Sequence, residues 1–450
     1  MFQAFGNIAR IPELRKKLFW TMGLLILFRL GSYIPLPGVN LEAVRTMLDS
    51  SKSQGSLGQF VGMLDMFAGG ALERVSIFAL GIMPYISASI IFQILTAIVP
   101  ALQKVSKEGE SGRRKINQWT RYSTVALCIF QALIICSTLQ NQPAIKNQAM
   151  VLNPGLGFLI QSAIILSAGT AFLMWLGEQI DEFGLGNGIS LIIMVGIISR
   201  LPQALEEIVR KFDPAIDSAN PAAIGPSELF LLAFLFLVMV TSVVFVTEAT
   251  RRIPMQTPKR SRMGFRQQHY LPLKLNASGV IAIIFAQALM MLPNFLAMVN
   301  VRWLQELLQF FVMGSYLYMT FYLLLIVFFS YFYTAVIFDP KEHAENFKQY
   351  GMFVPGIRPG NDTRAYLETV MNRITFAGAV FIAIIAIVPQ IIQSGLKVGF
   401  TISDFFGGTG LLIVVGVALD LINRIESHML MERYDGFLKS GGRIRGRRGE

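Results

Sequence analysis

Residue types that commonly carry out chemistry are sparse in this chain. Two cysteines, Cys128 and Cys136, lie eight residues apart within one apolar segment, and the three histidines are far from one another, without an HExxH motif. This spacing matches neither a disulfide framework nor a zinc site. We therefore expect the cysteines to be small buried side chains, and we expect neither a metal nor a cofactor.

A glycine-rich stretch, GLGNG at residues 184–188, is similar in composition to a phosphate-binding loop. A P-loop needs a preceding strand and a following lysine, and this stretch has neither in its pattern. The sequence here predicts a tight turn between two apolar segments. We find no catalytic motif and expect no enzyme.

Uncharged polar side chains inside apolar segments are the remaining candidates. Gln93, Gln131 and Gln287 lie in three different segments, and Ser87 and Ser89 precede Gln93 on the same one. Such groups are costly when they face lipid, so they tend to form hydrogen bonds between helices. If the three amides meet, they form a polar seam that can part. Ordinary interhelical hydrogen bonding is the equally weighted alternative.

The elements that must position these residues are membrane helices. Of 450 residues, 53% are hydrophobic and only 15% are charged, against about 25% charged in a typical soluble chain. Residues 60–72 are apolar but too short to span a bilayer. Ten segments have the length and hydropathy of spans: 20–37, 75–98, 119–139, 156–176, 188–203, 228–248, 275–293, 311–337, 373–392 and 404–424.

The positive charges indicate how these spans are oriented. With the N-terminus in the cytoplasm, 29 of the 39 lysines and arginines fall on the cytoplasmic side. This bias is the positive-inside rule, and an even number of spans then places both termini in the cytoplasm. Residues 1–17 show no cleavage site, so we expect no removed signal peptide.

One loop is more basic than topology requires. Seven of the 24 residues from 251 to 274 are lysine or arginine, and three prolines lie among them. Such a loop could dock an acidic or nucleic-acid-bearing partner, although topology alone remains an alternative.

Ionisable residues are nearly absent from the span interiors. Glu178 and Asp420 lie near span ends, and Arg29 is the one basic residue in the interior of a span, away from its ends. We expect Arg29 to snorkel or to pair within the bundle. Ion-coupled transporters usually keep acidic or histidine residues at mid-membrane, so this pattern disfavours ion-coupled transport.

Six strings along the chain resemble the SecY family, the channel subunits of the bacterial Sec translocon. They occur in family order, and the loop 251–266 departs most from the family pattern. The strings are GGALERVSIFALGIMPYISASIIFQ at 69–93, KEGESGRRK at 107–115, MWLGEQ at 174–179, GLGNGIS at 184–190, LPLKLN at 271–276 and FVPGIRPG at 353–360.

The resemblance implies an all-α polytopic membrane protein with ten transmembrane helices around an hourglass pore. Two pseudo-symmetric halves of five helices, residues 1–205 and 206–450, would be related by an inverted repeat. Loops 249–274 and 338–372 and the tail 425–450 would face the cytoplasm.

The resemblance also implies a pore ring, a plug and a lateral gate. An apolar ring can close by dewetting without selecting any side chain of a passing polypeptide. The ring positions are Ile82, Ile86, Ile193, Ile284 and Ile413. The segment 60–72 suits a plug, or else a loop that caps the bundle, through Phe60, Met63, Leu64, Met66 and Phe67 with a hinge at Gly69 and Gly70. The gate would open between spans two and three on one side and spans seven and eight on the other. Its residues would be Ser87, Gln93, Gln131 and Gln287.

The expected function is a protein-conducting channel of the bacterial inner membrane, which passes unfolded secretory polypeptides and releases transmembrane segments into lipid. Expected partners are SecE and SecG in the membrane, the SecA motor, the ribosome and signal sequences. The docking residues would be Arg251, Arg252, Lys259, Arg260, Arg262, Arg266 and Arg358. Alternatives are an ion-coupled secondary transporter of a small solute and a structural scaffold of a membrane complex.

Overall fold

A computed structural model gives the fold of the chain. It describes residues 11–44, 46, 62, 64–141, 149–212, 224–256, 269–297, 315–396, 402–403 and 408–439.

Seven helices are described before residue 212. Proline occupies the first turn of α1, α2, α3 and α7, where its missing N–H removes no helical hydrogen bond. The helices are α1 Pro12–Gly31, α2 Met83–Ile98, α3 Pro100–Lys107, α4 Glu110–Asn141, α5 Leu156–Phe183, α6 Gly188–Ile198 and α7 Leu201–Lys211.

Six helices and a two-stranded antiparallel hairpin are described after residue 224. They are α8 Pro226–Glu248, β1 Thr250–Met255, β2 His269–Lys274, α9 Ile281–Ala297, α10 Tyr316–Ile337, α11 Pro340–Gln349, α12 Asn361–Leu396 and α13 Thr409–Lys439.

Each predicted span overlaps a helix, and the helical fold class is confirmed apart from the hairpin. Within the described residues, six helical stretches are long and apolar enough to cross a membrane. The bent pair α2 and α3 would make a seventh, with a bend of 99° between them, and α9 is a shorter apolar helix. Many large apolar side chains on the helices are exposed, among them Phe230 and Phe245 of α8 at 74% each. Such an apolar surface is typical of helices that are in contact with lipid.

Two predicted span starts are wrong. The second helix begins at Met83 rather than at residue 75, because residues 75–82 form turns in which Val75 and Gly81 have φ values of +43° and +58°. The seventh begins at Ile281 rather than at 275, after a turn in which Gly279 has φ +59° and Asn276 donates to its carbonyl at 3.2 Å. A left-handed backbone cannot continue a right-handed helix.

The GLGNG stretch is the predicted turn between the fourth and fifth spans. Asp181, in the last turn of α5, accepts a hydrogen bond from the Gly188 N–H at 2.7 Å, and the Asn187 side chain caps α6 by accepting from the Ser190 N–H at 3.0 Å. A Cβ on Gly188 would lie 2.0 Å from the Gly177 carbonyl oxygen, so only glycine allows α6 to pack this closely on α5.

Helices from the two ends of the chain meet at the centre of the fold. α2 contacts α9, and α6 contacts α13. The largest apolar cluster runs through these four helices. They are therefore the elements that form the candidate site.

Candidate functional site: the apolar neck and its seal

The five isoleucines predicted to line a pore lie on the four central helices. Ile82 is the N-cap residue of α2 and Ile86 lies in its first turn, whereas Ile193, Ile284 and Ile413 lie on α6, α9 and α13. All five belong to one apolar cluster, with exposed fractions from 0% for Ile413 to 5% for Ile284. We call this set of five the neck.

The neck can act as a barrier without any polar selectivity. Branched aliphatic side chains offer no hydrogen-bonding group to water or ions, so a constriction lined by them would stay dry. The helices touch through side chains that can repack, and the barrier can therefore widen. Whether these residues line a pore stays a prediction that the geometry makes reasonable.

The predicted plug packs against the neck from the segment that precedes α2. Leu64, Met66 and Phe67 lie in a helical turn, are 7% exposed or less, and belong to the same apolar cluster as the neck. Phe60 and Met63 lie outside the described residues. The described part of the segment thus fills the core next to the neck rather than lying on the surface as a cap.

Glycine allows the plug to approach α6 at backbone distance. Gly69 has φ +66°, and a Cβ placed on it would lie 2.9 Å from the Cα of Gly196. The Gly69 carbonyl accepts hydrogen bonds from Arg29 Nη1 at 2.7 Å and from the Ser199 hydroxyl at 3.3 Å. Arg29 thus bonds within the bundle, one of the two expected outcomes, and it holds the backbone of the predicted hinge residue Gly69.

Gly69→Ala should open the seal more than Gly70→Ala. Both glycines have positive φ, +66° and +82°, so both substitutions strain the backbone by about 1–2 kcal/mol. However, a Cβ at Gly70 meets only a flexible arginine end at 3.9 Å, whereas one at Gly69 meets the α6 backbone. Ion leak through the purified complexes in planar bilayers measures the difference. Equal leak from the two variants would contradict a close plug–α6 contact.

Sequence reasoning missed a buried ion cluster beside the plug. Arg200, which the charge count placed in an external loop, is 6% exposed and its Nη2 contacts carboxylate oxygens of both Asp65 and Glu73. Asp65 is itself 2% exposed. A signal was present in the sequence, since Asp65 interrupts the apolar run of the plug, but its partner is distant along the chain.

The predicted gate residues are buried or half-buried, yet the amides do not form one seam. Gln287 donates to the Thr409 hydroxyl at 2.7 Å, and Gln93 donates to the Ser89 hydroxyl one turn earlier at 3.1 Å. Gln131 is 3% exposed, and its Oε1 has no hydrogen-bond partner among the described residues. The hydrogen-bonded seam is thus wrong for this conformation, because the amide nitrogens of Gln93 and Gln287 donate to hydroxyls elsewhere, while the Gln287 Oε1, like that of Gln131, has no partner among the described residues. Ser87 is buried on α2, and the gate itself stays a prediction.

Gln287→Leu should destabilise the packing of α9 on the start of α13. The substitution removes a hydrogen bond worth about 0.6–2 kcal/mol in membranes and leaves the buried Thr409 hydroxyl without this donor. We expect a lower melting temperature and a shifted threshold of signal hydrophobicity for insertion. Gln93→Leu, which loses only a bond within α2, is the matched control. The same threshold in all three proteins would remove Gln287 from the gate.

The basic loop forms a lobe with the loop after α10. We call this unit, residues 250–256, 269–275 and 338–374, the hairpin lobe. The backbones of Gln256 and Phe353 exchange hydrogen bonds of 2.9 and 3.0 Å, and both loops contribute to one apolar cluster. Its buried members are Ile253, Met255, Leu273, Phe347, Val354, Leu367, Val370, Met371 and Ile374.

The hairpin lobe presents the described docking arginines to solvent. Arg251, Arg252 and Arg358 are all exposed, the first two on β1 and the third on the turn after Phe353. Lys259, Arg260, Arg262 and Arg266 lie outside the described residues. The lobe thus carries three predicted docking residues on one packed unit.

The turn that carries Arg358 is stiff. Prolines flank Ile357 and Arg358 at positions 355 and 359, and the Arg358 carbonyl accepts from the Thr363 hydroxyl at 2.8 Å. Gly356 and Gly360 supply the positive φ values, +83° and +108°, that the turn needs. The backbone that carries the Arg358 guanidinium is therefore held in a fixed conformation.

Comparisons with known proteins identify the family and the fold of this chain. The SecY family model matches residues 76–422. The protein translocase subunit SecY of Escherichia coli K12 is 43% identical over 437 residues, which cover 95% of each chain. A solved structure described as a protein-conducting channel has a TM-score of 0.62 at 17% identity over 93% of both chains. Sec61 in the canine ribosome–channel complex from the endoplasmic reticulum has a TM-score of 0.61 at 17% identity, with 93% coverage of both chains.

Proposed function

The chain belongs to the SecY family of protein-conducting channel subunits, and we propose that its neck is the constriction through which unfolded secretory polypeptides pass. The observation that carries this proposal is that five buried isoleucines, from four helices of both ends of the chain, belong to one apolar cluster. A neck of this kind holds back water and ions when closed, and it can fit around any passing side chain because it forms no specific polar contact.

The plug completes the seal in this proposal. Leu64, Met66 and Phe67 extend the apolar cluster of the neck, so the closed channel has two consecutive barriers. The hinge at Gly69 and Gly70 would let the segment leave the neck when a polypeptide enters. Methionine-rich packing suits a seal that forms and breaks repeatedly.

Lateral release would occur where α2 contacts α9. These helices belong to different ends of the chain, so their contact can separate without unfolding either end. A transmembrane segment in the open seam would then partition into lipid according to its own hydrophobicity. Both ring and gate residues lie on α2 and α9, which couples pore opening to gate opening.

The proposed location is the inner membrane of a bacterium, with both termini and the hairpin lobe in the cytoplasm. Support comes from the 29 of 39 basic residues on that side and from the bacterial relative. The exposed arginines of the hairpin lobe would then meet partners that arrive from the cytoplasm.

The partners proposed for this chain supply energy and stabilise the helices. Canine Sec61, which shares the fold, is described in a ribosome–channel complex, and this supports the ribosome as a partner of this chain. The exposed arginines of the hairpin lobe are the proposed docking surface. The SecA motor would use the same lobe, since the sequence contains no nucleotide-binding motif of its own. SecE and SecG would cover exposed apolar helix faces within the membrane.

Reconstitution tests the proposed function directly. Vesicles that contain this protein with SecE and SecG should import a secretory precursor when SecA and ATP are added. Vesicles with the partners alone are the control. Import that does not depend on this protein would contradict the proposal.

A further inference from the structure

Arg200 lies at the corner between α6 and α7 and contacts two residues of the plug segment and Glu73, which follows it. Its Nη2 contacts Asp65 Oδ2 and lies 3.3 Å from Glu73 Oε2, and its Nη1 lies 3.5 Å from the Gly62 carbonyl oxygen. The side chain is 7% exposed, and its Nε has no hydrogen-bond partner among the described residues. A guanidinium in such a setting depends on its carboxylates, because an unpaired buried charge is strongly destabilising.

The two carboxylates lie on opposite sides of the Gly69–Gly70 hinge. Asp65 lies in the helical turn of the plug, between Leu64 and Met66, which are buried in the same apolar cluster as the neck. Glu73 lies beyond the Gly69–Gly70 hinge. Asp65 also accepts from the Glu73 N–H through Oδ1 at 2.9 Å, so in the closed state it binds Arg200 through one oxygen and the post-hinge backbone through the other.

The segment that follows the hinge is hydrogen-bonded to the turn that follows α1. Leu36 donates to the Val75 carbonyl at 2.8 Å, and Ile77 donates to the Ile34 carbonyl at 3.0 Å. Glu73 is only two residues from the first of these bonds. When the plug turns about its glycine hinge, Asp65 moves with it, whereas Glu73 stays near Arg200.

We propose that Arg200, Asp65 and Glu73 form an exchange latch for the plug. Asp65 holds the plug in the closed state by binding Arg200, and Glu73, already 3.3 Å from the same guanidinium nitrogen, becomes its remaining carboxylate partner when Asp65 leaves. The exchange keeps the buried arginine paired in both states and lowers the cost of opening. This inference rests on the plug assignment of the proposed function, and it makes Arg200 a positioning residue for the plug.

The latch predicts opposite effects for two similar substitutions. Asp65→Asn weakens the closed state only, and we expect the basal ion conductance to rise about tenfold, which corresponds to about 1.4 kcal/mol. Glu73→Gln deprives Arg200 of its partner in the open state. We expect its basal conductance to stay low and its opening by an added signal peptide to fall several-fold. A purely structural role would make both variants leak.

The measurement is ion conductance of the purified complex in planar bilayers, with and without a synthetic signal peptide. Asp65→Glu, which keeps the charge, is the control and should seal nearly as well as the natural protein. Melting of each complex reports whether it folds. A variant in which the plug residues 62–68 are deleted serves as the reference for an unsealed neck.

The outcomes separate the latch from the plug. A leaking deletion, a leaking Asp65→Asn and a tight Glu73→Gln support the exchange latch. A leaking deletion combined with a tight Asp65→Asn overturns the latch while leaving the plug in place. A deletion that does not leak overturns the plug assignment itself, and the latch with it. Leak from both Asp65→Asn and Glu73→Gln overturns the exchange.

Discussion

Replacement of Arg358 by glutamate is expected to abolish motor-driven export while leaving the protein folded and inserted. The side chain is exposed on a turn held by flanking prolines and by the Thr363 hydroxyl bond to its own backbone, so its guanidinium has no evident role in folding. A partner that pairs a carboxylate with this guanidinium would meet a like charge in the variant. At a close interfacial contact this costs several kcal/mol, or a loss of affinity of more than a hundredfold.

Export by reconstituted vesicles is the measurement for this variant. Arg114→Glu is the matched control, because Arg114 is also a highly exposed arginine of a predicted cytoplasmic segment and pairs with Glu110 at 3.6 Å on its own helix. We expect near-normal export with Arg114→Glu and almost none with Arg358→Glu. Normal export with both would remove the Arg358 turn from the docking surface.

Replacement of Ile413 by asparagine is expected to make the channel leaky and tolerant of defective signal sequences. Ile413 is 0% exposed within the neck cluster. In ordinary core, an unsatisfied amide would cost about 1–3 kcal/mol of stability and would lower the amount of protein. At a dry constriction, the amide instead hydrates the closed neck and destabilises that state selectively.

Ile425→Asn separates these two explanations. Ile425 lies on the same helix and is 6% exposed, but it packs in a different cluster with Leu14 and Leu185. We expect it to lose stability without gaining conductance, whereas Ile413→Asn gains conductance. Single-channel recording and export of a precursor with a defective signal sequence give the two measurements. Silent channels with unchanged signal selectivity would exclude Ile413 from the ring.

The approximate positions of the spans could be predicted from hydropathy, since each predicted span overlaps a helix, but their ends could not. Residues 75–82 are as apolar as a span, and hydropathy does not register the positive φ of Val75 and Gly81 that keeps them non-helical. The proline at position 84 was the usable signal, because proline favours the first turn of a helix. This difference concerns a predicted ring residue, since Ile82 lies at the start of α2 rather than within it.

Contacts between residues far apart along the chain could not be predicted from the sequence. The partners of Arg200 lie 135 and 127 residues away along the chain, so hydropathy and spacing could not distinguish a buried arginine from one in a loop. The same limit applies to Gln287, whose partner Thr409 is 122 residues away. The β1 strand could in principle be predicted from the alternation of Ile253 and Met255, which are buried, with Pro254, which is exposed. Six residues with two arginines and a proline are a weak strand signal.

The most direct test of the account is photo-crosslinking from the neck to a secretory chain arrested during transport. A photoreactive residue at position 82 or 413 should crosslink to the arrested chain. The same probe at position 384, where Ile384 is 59% exposed on the outer surface of α12, should not. Crosslinks from both neck positions and none from position 384 are the predicted result. An arrested chain that crosslinks to neither neck position would contradict a polypeptide path through the five isoleucines.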